Sequence, residues 1–93
     1  MGRKSRAQKI IEEQENVEDK HHNETYLVLY DFTEGNNPRP FYENLHRLFD
    51  HYEGGLVQRS VVEVTGENAG KAVQTLAEMY GASVLRYRAI KEE

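Results

Sequence analysis

The chain has 93 residues, 38% of them hydrophobic and 30% charged, with 12 Lys and Arg against 16 Asp and Glu and a formal net charge of −4. That length holds one small domain. The acidic balance excludes a broad basic face of the kind that grips nucleic acid, and the absence of cysteine excludes disulfides, thiolate nucleophiles and thiolate metal sites.

Residues 1–24 carry only Met1, Ile10, Ile11 and Val17 as large apolar side chains, and their charges come in blocks. Arg3, Lys4, Arg6 and Lys9 precede Glu12, Glu13, Glu15, Glu18 and Asp19. This composition predicts a largely flexible charged extension. Within it a frayed helix is expected over about Arg6–Glu15, where Lys9 and Glu13 attract while Glu15 and Asp19 repel. The early cations offer a contact to phosphate or to an acidic partner. The basic start has no apolar leader behind it, and no apolar run approaches the ~18 residues of a membrane span. A cytoplasmic protein off the membrane is therefore expected.

From Thr25 onward the pattern is that of a folded domain, 25–93, which holds every aromatic residue. Tyr26–Phe32 is a nearly unbroken apolar run, read as a strand buried on both faces. The turn formers "TEGNNP" follow, with Pro38 and Pro40 at a helix entry. Phe41, Leu45, Leu48, Phe49 and Tyr52 then recur at helical spacing, and Gly54-Gly55 closes that helix.

Leu56–Val64, "LVQRSVVEV", is β-branched, but its face pattern slips near Arg59-Ser60. Two short strands with a tight bend, or one strand with a bulge, fit that slip. "TGEN" turns into a second helix, with Thr65 or Asn68 as its cap and Val73, Leu76, Ala77 and Tyr80 as its stripe. Gly81 closes it. "SVLRYRAI" alternates, with Leu85, Tyr87 and Ala89 on one face and Val84, Arg86, Arg88 and Ile90 on the other. The order βαββαβ predicts an α+β fold, a ferredoxin-like sandwich with two helices on one face of a four-stranded antiparallel sheet.

Few residues carry evident chemistry. "GENAGK" at Gly66–Lys71 lacks the spacing and the Ser or Thr of a phosphate loop and reads as a turn into a helix. His46 and Asp50 share a helix face at i, i+4 but supply only two metal ligands. No hydroxyl stands in a nucleophile elbow. Arg59, Arg86 and Arg88, interleaved with Tyr87, are either a phosphate-binding patch with a stacking ring or interface residues bridging acids such as Glu63. Asp31, ending the first strand, is either a turn residue or a metal-binding carboxylate, the latter as one half of a pair brought together by a dimer.

Two stretches, "YLVLYDF" at Tyr26–Phe32 and "LVQRSVVEV" at Leu56–Val64, resemble the signature segments of the small CRISPR-associated spacer-acquisition subunit, the second of the CRISPR-associated protein families. "SVLRYRAI" is similar to that family's late strand. The resemblance implies a ferredoxin-like homodimer acting as a scaffold for duplex DNA or RNA beside an integrase partner protein. It also implies Asp31 as the catalytic and metal-binding residue of a metal-dependent nuclease using Mg²⁺; on that reading the patch of Arg59, Arg86, Arg88 and Tyr87 supplies the nucleic-acid-binding residues. The alternative reading is a small dimeric protein-interaction or regulatory module that binds no nucleic acid.

Overall fold

β-branched and aromatic residues pull Thr25–Asp31, Val61–Thr65 and Ser83–Ala89 into extended backbone, while the apolar stripes of Arg39–His51 and Glu67–Met79 coil into helices. The structure, a computed structural model, describes residues 4–32, 38–90 and 92. In chain order the elements are α1 (Arg6–Glu15), β1 (Thr25–Asp31), α2 (Arg39–His51), β2 (Gly54–Gln58), β3 (Val61–Thr65), α3 (Glu67–Met79) and β4 (Ser83–Ala89). The strands form one four-stranded sheet in the order β2-β3-β1-β4, each neighbouring pair antiparallel. The protein is thus α+β. Among the described residues no helix is long and apolar enough to cross a membrane.

Register divides the sheet residues into two sets. Tyr26, Val28 and Tyr30 of β1, with Val62 and Val64 of β3, are buried. On these rest Phe41 of α2, edge-on to Tyr30 with ring centroids 5.0 Å apart, and Gly70 of α3, where an added Cβ would lie 3.3 Å from Tyr26 Cβ. Leu45, Leu48, Val73 and Leu76 complete the core without exposure. The opposite set, including Leu27, Leu29 and Val61, is only half-buried. The apolar run of β1 was expected to be covered on both faces; this chain covers only one, because α2 and α3 lie on the Tyr26–Tyr30 set.

The ends of the elements follow local chemistry, with some departures from expectation. Pro40 sits in the first turn of α2, where its missing N–H costs nothing. That helix stops at Tyr52, and Gly54-Gly55 belong to β2 rather than closing it. The slip near Arg59-Ser60 is both a turn and a bulge: the β2–β3 register shifts between Leu56 and Gln58, and Ser60 takes a positive φ of 69°. Gly81, at φ 86°, ends α3 in a Schellman arrangement, with Ala82 N–H bonded to Ala77 O at 3.0 Å and Gly81 N–H to Glu78 O at 3.0 Å. The polar turn expected after Phe32 lies, Pro38 excepted, outside the described residues.

The largest difference concerns residues 1–24. Where composition suggested a flexible extension, α1 packs on α2 and α3 as an added layer, with Ala7, Ile10 and Ile11 inside the common core. Burying two isoleucines contributes about 1.5–3 kcal/mol each, which outweighs the weak helix propensity of a charge-blocked segment. Polar contacts help fix the docking. Ala7 N–H donates to Asn44 Oδ1 at 3.1 Å, Asn68 Nδ2 donates to Val17 O at 2.8 Å, and Arg6 stacks over the Tyr80 ring at 4.7 Å. The expected boundary at residue 24 therefore does not mark where the core ends.

Candidate functional site

The four side chains expected to form one nucleic-acid patch are divided by the sheet. Arg86 and Arg88 pair in register with Val28 and Tyr26, so they stand on the helix-bearing side of β4, an edge strand. A Cβ on Gly70 would come within 3.2 Å of Arg86 Cδ, so α3 covers part of that side. Tyr87 pairs with Leu27 and stands on the other side, 52% exposed. Arg59 occupies the β2–β3 turn, with β3 and β1 between it and β4.

Arg88 is also engaged. Its Nη1 lies 3.4 Å from Glu24 Oε2, an oxygen that His21 Nδ1 approaches to 3.0 Å. Tyr26 Oη stands 3.3 Å from carboxylate oxygens of both Glu24 and Glu67, and Lys71 pairs with Glu67 at 3.1 Å. Desolvation first, and then the two carboxylates, raise the Tyr26 phenol above its ordinary range. Two of the early cations are used locally: Lys4 bonds Glu12 at 2.8 Å and Arg6 covers Tyr80, while Lys9 is exposed and Arg3 lies outside the described residues.

Asp31 is exposed at the end of β1, opposite Ser83 of β4. It borders a depression of about 430 Å³ lined mostly by Leu29, Tyr30, Val61, Val84 and Leu85, together with Ser60 and Ser83. One carboxylate and two hydroxyls amid apolar side chains leave a hard cation short of oxygen ligands, so a magnesium site here needs donors from outside the chain. No group of three or more His, Cys, Asp or Glu among the described residues is arranged to hold a metal, and this includes His46 and Asp50.

What the structure does assemble is the uncovered side of the sheet. Leu27, Leu29, Val61, Leu85 and Tyr87 adjoin one another across β3, β1 and β4, with Leu85 57% exposed. Val57 on β2, 56% exposed, extends the apolar surface, whereas Ile90, 83% exposed, falls by alternation on the Arg86–Arg88 side. The signal for this surface was present in the sequence, since an unbroken apolar β1 needs two covered sides. Which side the chain leaves open was not legible. No protein-family model matches the chain, and neither the curated proteins nor the solved structures yield a match.

Proposed function

We propose that this protein is a ferredoxin-like interaction module that associates with protein through the open side of its sheet and works as a dimer without binding nucleic acid. The strand order β2-β3-β1-β4 with all neighbours antiparallel is the one that a split βαββαβ chain requires, which supports the ferredoxin-like reading. The observation that carries the functional reading is the contiguous Leu27, Leu29, Val61, Leu85 and Tyr87 surface. A connected apolar patch on a small acidic domain marks an interaction site, because its hydration is a standing cost that association removes.

Solution mass tests this. The full chain is expected to sediment above 10.8 kDa. Leu85→Asp should return it to monomer mass while leaving the circular dichroism spectrum intact. A wild-type dimer that is indifferent to Leu85→Asp would sink the reading.

A second reading, the nucleic-acid-associated scaffold implied by the CRISPR-associated resemblance, draws on exposed Arg59 and Arg86, neither of which has an ion-pair partner among the described residues. It calls for steeply salt-dependent binding to duplex DNA or RNA. Fluorescence anisotropy with a labelled duplex at low salt decides it: no titration, no scaffold. Nuclease action by Asp31 calls further for Mg²⁺-dependent cleavage that Asp31→Ala abolishes.

A further inference from the structure

Register sets the uncovered side chains in rows across the sheet. One row runs Gln58, Val61, Leu29, Leu85, and the next runs Gly55, Glu63, Leu27, Tyr87. Past the first row, at the end where β1 stops, stand Asp31 on β1 and Arg59 in the β2–β3 turn, both exposed. Neither has an ion-pair partner among the described residues. They lie on opposite sides of the line that separates β1 from β3.

That symmetry has a consequence for packing. We propose that the occupant of the open side is a second copy of this chain, related by a two-fold axis running along the strands midway between β1 and β3. The proposal rests on the reading of this side as an interface. The rotation lays β1 of each copy over β3 of the other and β2 over β4, so all four strands are covered. Leu29 then meets Val61, and Leu85 meets Gln58. Tyr87 lands over Gly55, where an added Cβ finds nothing within 4 Å in the single chain. Asp31 of each copy faces the turn that carries Arg59 of the other, so opposite charges meet at both symmetric places.

Other two-folds do worse. An axis along β1 itself leaves β2 uncovered. An axis across the strands carries Asp31 to the far end of the sheet, where the rows finish at Thr25, Thr65 and Ala89 and where Arg88 stands on the helix-bearing side, engaged by Glu24. In the favoured arrangement the two Asp31 residues lie on different strand lines of sheets stacked about 10 Å apart, too far to share one metal ion. Asp31 becomes an interface charge instead. Four strands spaced about 4.8 Å apart and about 20 Å long give a planar footprint of roughly 400 Å² per copy. That is nearer the transient than the obligate class, so dissociation on dilution is expected.

Sedimentation equilibrium of the full chain over a concentration series tests the geometry, with circular dichroism to verify folding of each variant. Asp31→Arg and Arg59→Asp should each weaken the dimer at least about tenfold, because a reversed charge meets its like at both symmetric contacts. The double variant D31R/R59D should restore the wild-type constant to within about threefold. Gly55→Trp should fold and remain monomeric. Single reversals that leave the constant unchanged, or a double variant that fails to recover, overturn this axis; if Leu85→Asp still dissociates the dimer, the interface reading survives that failure. A wild-type chain that stays monomeric across the series overturns the second copy as occupant.

Discussion

Asp19 caps α3 on Asn68 from 49 residues upstream: its Oδ2 accepts the Asn68 N–H at 3.1 Å, while Oδ1 accepts the Glu67 N–H at 3.3 Å. α3 starts behind Gly66, which has no side chain to serve as cap, so neither Thr65 nor Asn68 does the capping the sequence suggested. The stretch that looks faintly like a phosphate loop does bind an anion, and the anion is the chain's own carboxylate. A negative charge at a helix N-terminus satisfies free amides and complements the helix dipole together.

Asp19→Ala is therefore expected to destabilise the fold by about 1 kcal/mol, the usual worth of an N-cap. In a domain of this size that corresponds to roughly 4–8 °C in Tm. Asp19→Asn, which keeps an acceptor, should recover most of the loss. Calorimetric scans of the two variants check it; equal, negligible shifts would mean that the cap contributes nothing.

Asn44 joins α1 to α2 and α3. Besides accepting from Ala7 N–H, it donates to Pro40 O at 2.9 Å and to Tyr80 Oη at 3.4 Å. Asn44→Leu keeps the volume but strands the Ala7 amide in a buried place, at a cost of about 1–3 kcal/mol. The urea midpoint should fall, and amide exchange at residues 7–11 should quicken more than exchange in β1. Uniform quickening would argue that α1 does not open as a separate unit.

Neighbouring glycines of β2 should respond oppositely. A Cβ on Gly54 would collide with Glu63 O and stand 2.8 Å from Val64 Cα, backbone atoms of the paired strand that cannot step aside. Gly54→Ala should cost roughly 1–3 kcal/mol or more, as overpacking does. Gly55→Ala meets open space and should leave the monomer's stability unchanged within about 0.5 kcal/mol. Paired denaturation curves at concentrations low enough to exclude association compare them.

Stability should fall at both pH extremes through identifiable groups. Burial, then the hydrogen bond with Tyr42, pushes the Tyr30 phenol far above its ordinary value of 10.0. A raised native value means that the folded chain holds the proton more tightly, so this stabilisation is complete below pH 10.0 and is lost as pH rises toward the native value. Tyr30→Phe should flatten the alkaline fall. Glu67 shifts the other way, lowered from 4.5 first by the hydrogen bond from Lys71. Its contribution is present above pH 4.5 and lost as pH drops through the native value, so Glu67→Gln should flatten the acid limb. Urea midpoints measured across pH would expose either limb as unchanged if the assignment is wrong.

Periodicity alone determined the order of elements from Thr25 to Ala89 and the closing role of Gly81, and it located the break in Leu56–Val64 without choosing between a turn and a bulge. Each of these follows from side-chain spacing or backbone freedom within a few residues. It also located Asp31 at the end of β1 and Tyr87 and Arg86 on opposite sides of β4. What lay beyond it were relationships between residues far apart in the chain: the docking of α1 through Ala7, Ile10 and Ile11, the Asp19 cap on α3, the Arg88–Glu24 pair, and the side of the sheet left open. Composition gave the N-terminal segment too few apolar residues to fold alone. Only the groove between α2 and α3 supplies the surface that lets two isoleucines outweigh the entropy of ordering it. Likewise, alternation can say which side chains share a face of a strand, but only the packed helices decide which face meets solvent.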